Sequence, residues 1–572
     1  MTSAESRINP PRDPRRHDLD ALRAFAMLLG IGLHAALSFT GGPWIVQDEG
    51  RSESLGMLVS AIHGFRMPVF FLLSGFFTAM LCRRRGLTGL LTHRAKRIAL
   101  PLAIGCVTIV PLTWMVINFA MATNAENAGP ASAEIDTSRD VWTAAAYGDT
   151  EAVLEHLERG ANIEATDPIY QTTPLGWAVI GDHPGLVDRL LDEGADPNTR
   201  YGDSNTALHS AAFFGRADAA ALLLNAGADP GAVNDQGETP ADSMRHDRGT
   251  TEFIASLLSV PIDFEEISAG RERIGQTLAD QGNDAASNAA NTESSPVRDA
   301  LQGLFVELPF FHHLWFLWHL CWLIAGYALV TLALDLLPAV RLPTPLIASP
   351  LALLWLVPLT MGPQMLMHGV GTVPGFGPDT SAGLLPMPHV LAYYGIFFGF
   401  GAMLHSVPGG AERIGRGWWL TLPLAAALFF PVMYVRFEAG AAERLGLGPS
   451  SVHALASAGE VLYAWLMILG LMGFFRVMLA RERSGVRYVS DASYWLYLAH
   501  MPLIILGQLA LSHVDLPAGV KVLTLATVTT ALLLLVYELG VRYTIIGTIL
   551  NGKRTRHRAI EPPCLTPRMG RQ

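Results

Sequence analysis

The chain is 572 residues long, 50% hydrophobic and only 16% charged, with a mean hydropathy of +0.31. Soluble domains ordinarily carry about a quarter charged residues, so a purely soluble globular protein is excluded. The net charge of −10 is unevenly held: residues 121–312 contain 32 acidic and 10 basic side chains, a net of −22, against +12 for the rest, and such an acidic segment has no electrostatic attraction for nucleic acid or anionic lipid.

The first eighteen residues are polar and basic, with Arg7, Arg12, Arg15 and Arg16. The apolar run that follows is too long for a signal-peptide core and has no A-x-A site after it, so it reads as a retained first transmembrane helix behind a cytoplasmic tail. Apolar runs of about 20 residues, each enough to cross a ~30 Å hydrocarbon core, predict ten spans: 19–40, 55–81, 98–120, 313–334, 348–367, 388–407, 418–436, 455–478, 491–513 and 519–547. With the N-terminus in the cytoplasm, the inside segments and both tails hold 23 Lys and Arg, and the short outside loops hold four: Arg51, Arg436, Arg444 and Lys521. That bias places both termini inside and the long loop outside, which for a bacterial inner-membrane protein means the periplasm. Cys82, Cys106, Cys321 and Cys564 show no C-x-x-C spacing and none lies in the large loop, so neither a disulfide framework nor a zinc site is expected.

The long loop contains a 33-residue period. Thr173-Pro174-Leu175, Thr206-Ala207-Leu208 and Thr239-Pro240-Ala241 open successive units, and Gly160-Ala161-Asn162, Gly194-Ala195-Asp196 and Gly227-Ala228-Asp229 follow the helix pairs. Threonine and proline suit a helix start, where proline forfeits no internal hydrogen bond. Glycine past a helix end permits a left-handed cap. The pattern resembles the ankyrin repeat, with about three repeats and a truncated fourth over residues 138–258. His209 falls where that repeat has a structural histidine and is read as a packing residue. Residues 259–311 are read as a flexible linker. The fold class is therefore all-α: a polytopic bundle of about ten membrane helices, contributed by residues 1–121 and 312–550, with an inserted helical solenoid and a basic cytoplasmic tail at 551–572.

Charged groups inside spans are costly and mark function by default. Arg23 and His34 are eleven positions apart on the first span, within about 20° of three full turns, so they share one face. Asp20 lies three positions before Arg23 and can pair with it. Snorkelling by Arg23 and a helix–helix hydrogen bond from His34 would also explain the pair. His63 and Arg66 precede the run Met67-Pro68-Val69-Phe70-Phe71-Leu72-Leu73-Ser74-Gly75-Phe76-Phe77. Arg94-Ala95-Lys96-Arg97 forms a basic cluster that either sets topology or holds phosphates of a cytosolic donor. Glu538 and Arg542, one turn apart, suit a local salt bridge.

Leu19-Asp20-Ala21-Leu22-Arg23 through His34, the run at 65–77, R-x-x-R at 94–97, His313-Leu314-Trp315-Phe316-Leu317 and Ser493-Tyr494-Trp495-Leu496-Tyr497-Leu498-Ala499-His500 together resemble the transmembrane acyltransferase family three, and within it the subgroup that modifies periplasmic glucans. Tyr537-Glu538 and Asn551-Gly552-Lys553 are also similar to that subgroup. The resemblance covers all ten spans; the inserted repeats are a departure, since close members have a short loop there. It implies transfer of an acyl group, such as succinyl or acetyl, from a cytosolic acyl-CoA co-substrate to a glycan hydroxyl outside, with no bound cofactor and no metal. It implies His34 and Arg23 as catalytic residues and Arg94, Arg97, Arg66, His63 and His500 as donor- or substrate-binding. Asp20, Ser74, His313, Trp315 and Glu538 would support them. A neutral imidazole at His34 suits a general base. Expected partners are the acyl-CoA, the glycan, the lipid bilayer and a protein ligand of the repeats. An ankyrin-based receptor with an inactive membrane core is the competing class, and a transporter the third, although no inverted repeat is evident.

Overall fold

A computed structural model describes residues 16–40, 44–48, 50–127, 137, 140–167, 170–202, 204–234, 238–246, 248–258, 260, 262–280, 310–334, 343–367, 375–437 and 444–552. Among these residues there are no strands beyond one isolated bridge, Tyr201 with Asn205. One large hydrophobic core belongs to the apolar helices and a second, separate one to the repeat region.

Helix α1 (His17–Ala36) carries Asp18 and Asp20 in its first turn, where carboxylates meet the positive end of the helix dipole. Helix α2 (Glu53–Arg94) starts on a Ser52 cap and changes direction at Gly86, φ 69°. A five-residue π-helical turn, Ala95–Ala99, leads into α3 (Leu100–Asn127).

The repeat region follows as short paired helices: α4 (Val141–Ala146) with α5 (Thr150–Glu158), α6 (Pro174–Ile180) with α7 (Pro184–Asp192), α8 (Ala207–Phe213) with α9 (Ala217–Asn225), and α10 (Pro240–Ser243) with α11 (Arg248–Leu257). Thr173 Oγ1 accepts from the Gly176 N–H at 3.1 Å, and Pro174 takes the first helical position. Gly160, Gly194 and Gly227 adopt φ of 96°, 95° and 89°, the left-handed caps expected from their place in the period. His209 is buried: its Nδ1 accepts from the Thr206 N–H at 3.1 Å and its Nε2 donates to the Glu238 carbonyl of the next unit at 3.1 Å. It stitches neighbouring repeats, as its sequence position suggested.

The stretch after 258 departs from expectation. Instead of a linker throughout, it contains a 17-residue helix, α12 (Phe264–Asp280). Ile274 and Leu278 are buried in the repeat core, and Arg271 donates to the carbonyls of Phe213 and His246 and to Thr251 Oγ1. An apolar stripe at Ile267, Ile274 and Leu278 within a polar segment carried that signal. The rest of the expected linker, 281–309, and the tail from 553 lie outside the described residues.

The second membrane half comprises α13 (Trp315–Leu334), α14 (Leu353–Gln364), α15 (Pro388–Ser406), α16 (Trp418–Phe437), α17 (Pro449–Leu479), α18 (Ser484–Ser512), α19 (Ala518–Val536) and α20 (Ile545–Asn551). Among the described residues, seven helical stretches are long and apolar enough to cross a membrane, one of them, Glu53–Thr123, containing two expected spans. The expected spans at 348–367 and 388–407 are not among the seven. The first is interrupted by extended Ser349, which leaves α14 only 12 residues with Pro358 and Pro363 inside it. The second is a 19-residue helix, α15.

Small residues set the closest approach of helices. A Cβ on Gly75 would lie 1.8 Å from the Phe398 carbonyl oxygen, and one on Gly401 2.0 Å from that of Leu72, so the motif glycine at 75 lets α2 and α15 touch backbone to backbone. Two of the cations assigned to outside loops turn inward: Arg436 pairs with buried Glu460 at 2.8 Å, and Lys521 with buried Asp48 at 2.6 Å.

Candidate functional site

Helices α1 and α18 lie side by side and parallel, and this pairing assembles the site. Near one end Arg23 Nη2 donates to Ser490 Oγ at 2.9 Å and to its carbonyl at 3.2 Å, with Asp20 3.5 Å away. Three turns along, His34 Nδ1 lies 2.9 Å from His500 Nε2. Both residues thus reach the same partner helix, as their shared face requires.

Proton positions follow from the partners. His500 Nδ1 faces only carbonyl oxygens, Tyr497 at 2.8 Å and Leu496 at 3.1 Å, and carbonyls only accept. Nδ1 therefore carries the proton, and Nε2 of the neutral ring accepts from His34 Nδ1–H. The remaining nitrogen, His34 Nε2, keeps its lone pair and has no hydrogen-bond partner among the described residues. These contacts fix His34 in one tautomer, with the proton on Nδ1.

Pro502 completes the local logic. A proline inside α18 removes the N–H that would bond the Leu498 carbonyl, and that carbonyl accepts from His313 Nε2 at 3.1 Å. Tyr497 Oη in turn donates to the His313 carbonyl. His313 follows His312, whose φ of 44° is left-handed, and its ring meets His500 edge to face at 5.4 Å. Three histidines, from α1, α18 and the turn before α13, thus meet at one place.

One side is closed by Trp44, whose ring lies parallel to His34 at 6.3 Å. Trp44 Nε1 donates to Gln508 Oε1, and Gln508 Nε2 donates to the His34 carbonyl, both at 2.9 Å. Arg66 Nη1 lies against Gly30 of α1. His63, three residues before it, bonds the Pro378 carbonyl at 3.0 Å. Trp315 stands farther off, packed on Phe71, His319 and Tyr394, and Ser74 lies two turns beyond Arg66 on α2.

The basic cluster divides. Arg94 Nη2 donates inward to Thr78 Oγ1 at 2.9 Å. Arg97 Nη1 donates to the carbonyls of Thr548 and Ile549 at 2.9 and 2.8 Å, where a cation offsets the helix C-terminus of α20. Arg97 also lines an open cleft of about 380 Å³ with Arg85, Thr88, Gly89, Thr92, His93 and Lys96; Arg94 does not. Glu538 pairs with Arg542 at 2.6 Å as the local salt bridge expected, and Asn551 Nδ2 donates to the Asp491 carbonyl at 2.7 Å and to Tyr537 Oη at 3.2 Å. Among the described residues no three His, Cys, Asp or Glu side chains converge as a metal site.

Sequence reasoning missed Trp44, Gln508, Ser490 and the role of Tyr497. Gln508 carried the clearest signal: it is a polar residue inside an apolar span, two turns after His500.

The acyltransferase domain family model matches residues 16–149 and 270–538, and an ankyrin-repeat model of three copies matches residues 141–234. Glucans biosynthesis protein C of Escherichia coli strain SMS-3-5 / SECEC is 38% identical over 105 residues, 18% of this chain and 26% of that protein. The proteins of the same name from Escherichia coli strain K12 and from Escherichia coli O1:K1 / APEC are each 37% identical over 105 residues, with the same coverage. The matched stretch spans about a quarter of the length of these relatives.

Proposed function

The chain belongs to the acyltransferase domain family, and from that premise we propose that it is a membrane O-acyltransferase with His34 as its general base. The observation that carries the reading is the oriented His34–His500 pair: the 2.9 Å contact, with His500 locked by backbone carbonyls, leaves His34 Nε2 unprotonated. A hydroxyl placed about 3 Å from that nitrogen could surrender its proton as it attacks an acyl carbonyl. The proton then passes from His34 to the departing thiolate, and the ester remains on the acceptor.

The donor in this reading is an acyl-CoA entering from the cytosol. The basic cleft at Arg97 and Lys96 supports it, being chemically suited to phosphates. The acceptor is a glycan hydroxyl outside the inner membrane, and the name of the relatives, Glucans biosynthesis protein C, supports a glucan. Arg23, bridged to Ser490, steadies the donor side. Both termini would be cytoplasmic and the repeats periplasmic, where they bind a protein or present the glycan. Radiolabelled acyl-CoA supplied to membranes with and without His34→Ala tests the assignment. Transfer that depends on His34 is expected; transfer that survives its loss in a correctly inserted protein refutes the role. A wild type transferring nothing would leave the repeats as a receptor domain on an inactive core.

A further inference from the structure

Several cations in the membrane half have a carboxylate beside them, among them Arg23 with Asp20, Arg436 with Glu460, Lys521 with Asp48 and Arg542 with Glu538. Arg66 forms no such pair among the described residues, and its Nε is shut away from solvent with no hydrogen-bond partner. Its flanking phenols do not neutralise it. Tyr394 Oη donates to the Asp379 carbonyl and Tyr497 Oη to that of His313, so each offers a lone pair and no negative charge. A cation held inside a bundle without a counterion is expensive unless an anion arrives there.

Its position relates it to the base. A Cβ on Gly30 would lie 2.2 Å from Arg66 Nη1, so the guanidinium rests on the backbone of α1 where only glycine leaves room. Gly30 and His34 are four residues apart, on one face and about 6 Å along the axis. A hydroxyl hydrogen-bonded to His34 Nε2 and a carbonyl oxygen hydrogen-bonded to a guanidinium N–H would each lie ~3 Å from its partner, an arrangement that suits two groups held one helical turn apart on α1.

We propose that Arg66, seated on Gly30, is a catalytic residue that stabilises the oxyanion formed during acyl transfer. The inference rests on the acyl-transfer reading of the site. As the acceptor oxygen bonds to the thioester carbon, the C=O π pair moves onto the carbonyl oxygen, which takes the Arg66 N–H groups. The hydroxyl proton goes to His34 Nε2. Collapse re-forms the C=O, breaks the C–S bond and sends the proton to the thiolate, so nothing further is consumed.

The test uses the full chain in lipid nanodiscs with acetyl-CoA and succinyl-CoA as donors and a glucose oligosaccharide as acceptor, reading released thiol and acylated sugar. R66Q should lower kcat about 10²–10³-fold for both donors with little change in KM. R66K should recover part of it, because a point charge lacks the planar fork. G30A, which keeps the arginine but pushes its Nη1 aside, should lower kcat in the same manner. If R66Q fails to insert, R66K and G30A carry the measurement. A loss confined to succinyl-CoA overturns the oxyanion role and makes Arg66 a receptor for the acyl carboxylate. An R66Q enzyme whose kcat stays within about threefold of wild type overturns this inference alone. A wild type that transfers from neither donor removes the acyl-transfer reading and this inference with it.

Discussion

Replacing His500 by phenylalanine keeps a ring at the site and removes the one acceptor of the His34 Nδ1–H among the described residues, a hydrogen bond of 2.9 Å. A donor left unsatisfied in such a place costs about 1–3 kcal/mol. The cost is relieved if His34 turns or changes tautomer, and either change takes Nε2 out of its role. At 1.36 kcal/mol per decade, kcat should fall roughly 5- to 150-fold. His34→Ala removes the base itself and should cost about 10²–10⁴-fold. Because His500 acts through His34, the double variant should be no slower than His34→Ala by more than about threefold. His500→Gln, whose amide oxygen can accept the same hydrogen bond, should recover part of the rate. Single-turnover CoA release from protein in nanodiscs reads all four. Independent, multiplicative losses would refute the dyad and make His500 a substrate contact in its own right.

Other expectations follow from the same geometry. Arg97→Gln should raise the donor KM about ten- to a hundred-fold by removing a charge-assisted phosphate contact, and an unchanged KM in an inserted protein would leave Arg97 as the C-terminal clamp of α20 only. Residues 137–280 should fold alone, whereas a fragment ending at 258 loses buried Ile274 and Leu278, worth roughly 3–6 kcal/mol by area; equal urea midpoints for the two would contradict the capping role of α12. Burial holds His209 below its ordinary pKa of 6.5, so the unfolded chain binds more protons and the 137–280 fragment should lose stability as pH falls through 6.5, with none of that loss in His209→Gln. Alkaline phosphatase fused near residue 290 should be active and a cytosolic reporter silent; the reverse would overturn the orientation drawn from the Lys and Arg bias.

Spacing made the Arg23–His34 face legible, because helical periodicity is geometry that one segment contains. The partners of that face were not legible. Ser490 and His500 lie more than 460 positions away, and nothing in α1 specifies which helix will cover it. The repeat period exposed threonine caps, left-handed glycines and His209, each repeated and local. Helix α12 was obscured by the polar, small-residue segment that follows it, which dominates any composition window. The basic cluster read as a unit, yet the π-helical turn at Ala95–Ala99 separates its arginines, a backbone irregularity that residue identities do not announce. Window hydropathy also counted 348–367 as continuous, since averaging hides extended Ser349 and two prolines.

The separation of His34 from His500 by 466 positions has a consequence for biogenesis. At ~5–20 residues per second, roughly 25–90 s of translation divide the arrival of His34 from that of His500. For that interval the first span carries an arginine and a histidine whose lasting contacts do not yet exist, while the whole repeat domain is made between them. Asp20, three residues from Arg23, is present from the start to offset the charge. The His34–His500 pair therefore cannot form until the ninth predicted span has entered, and chains truncated before it lack the proposed site altogether.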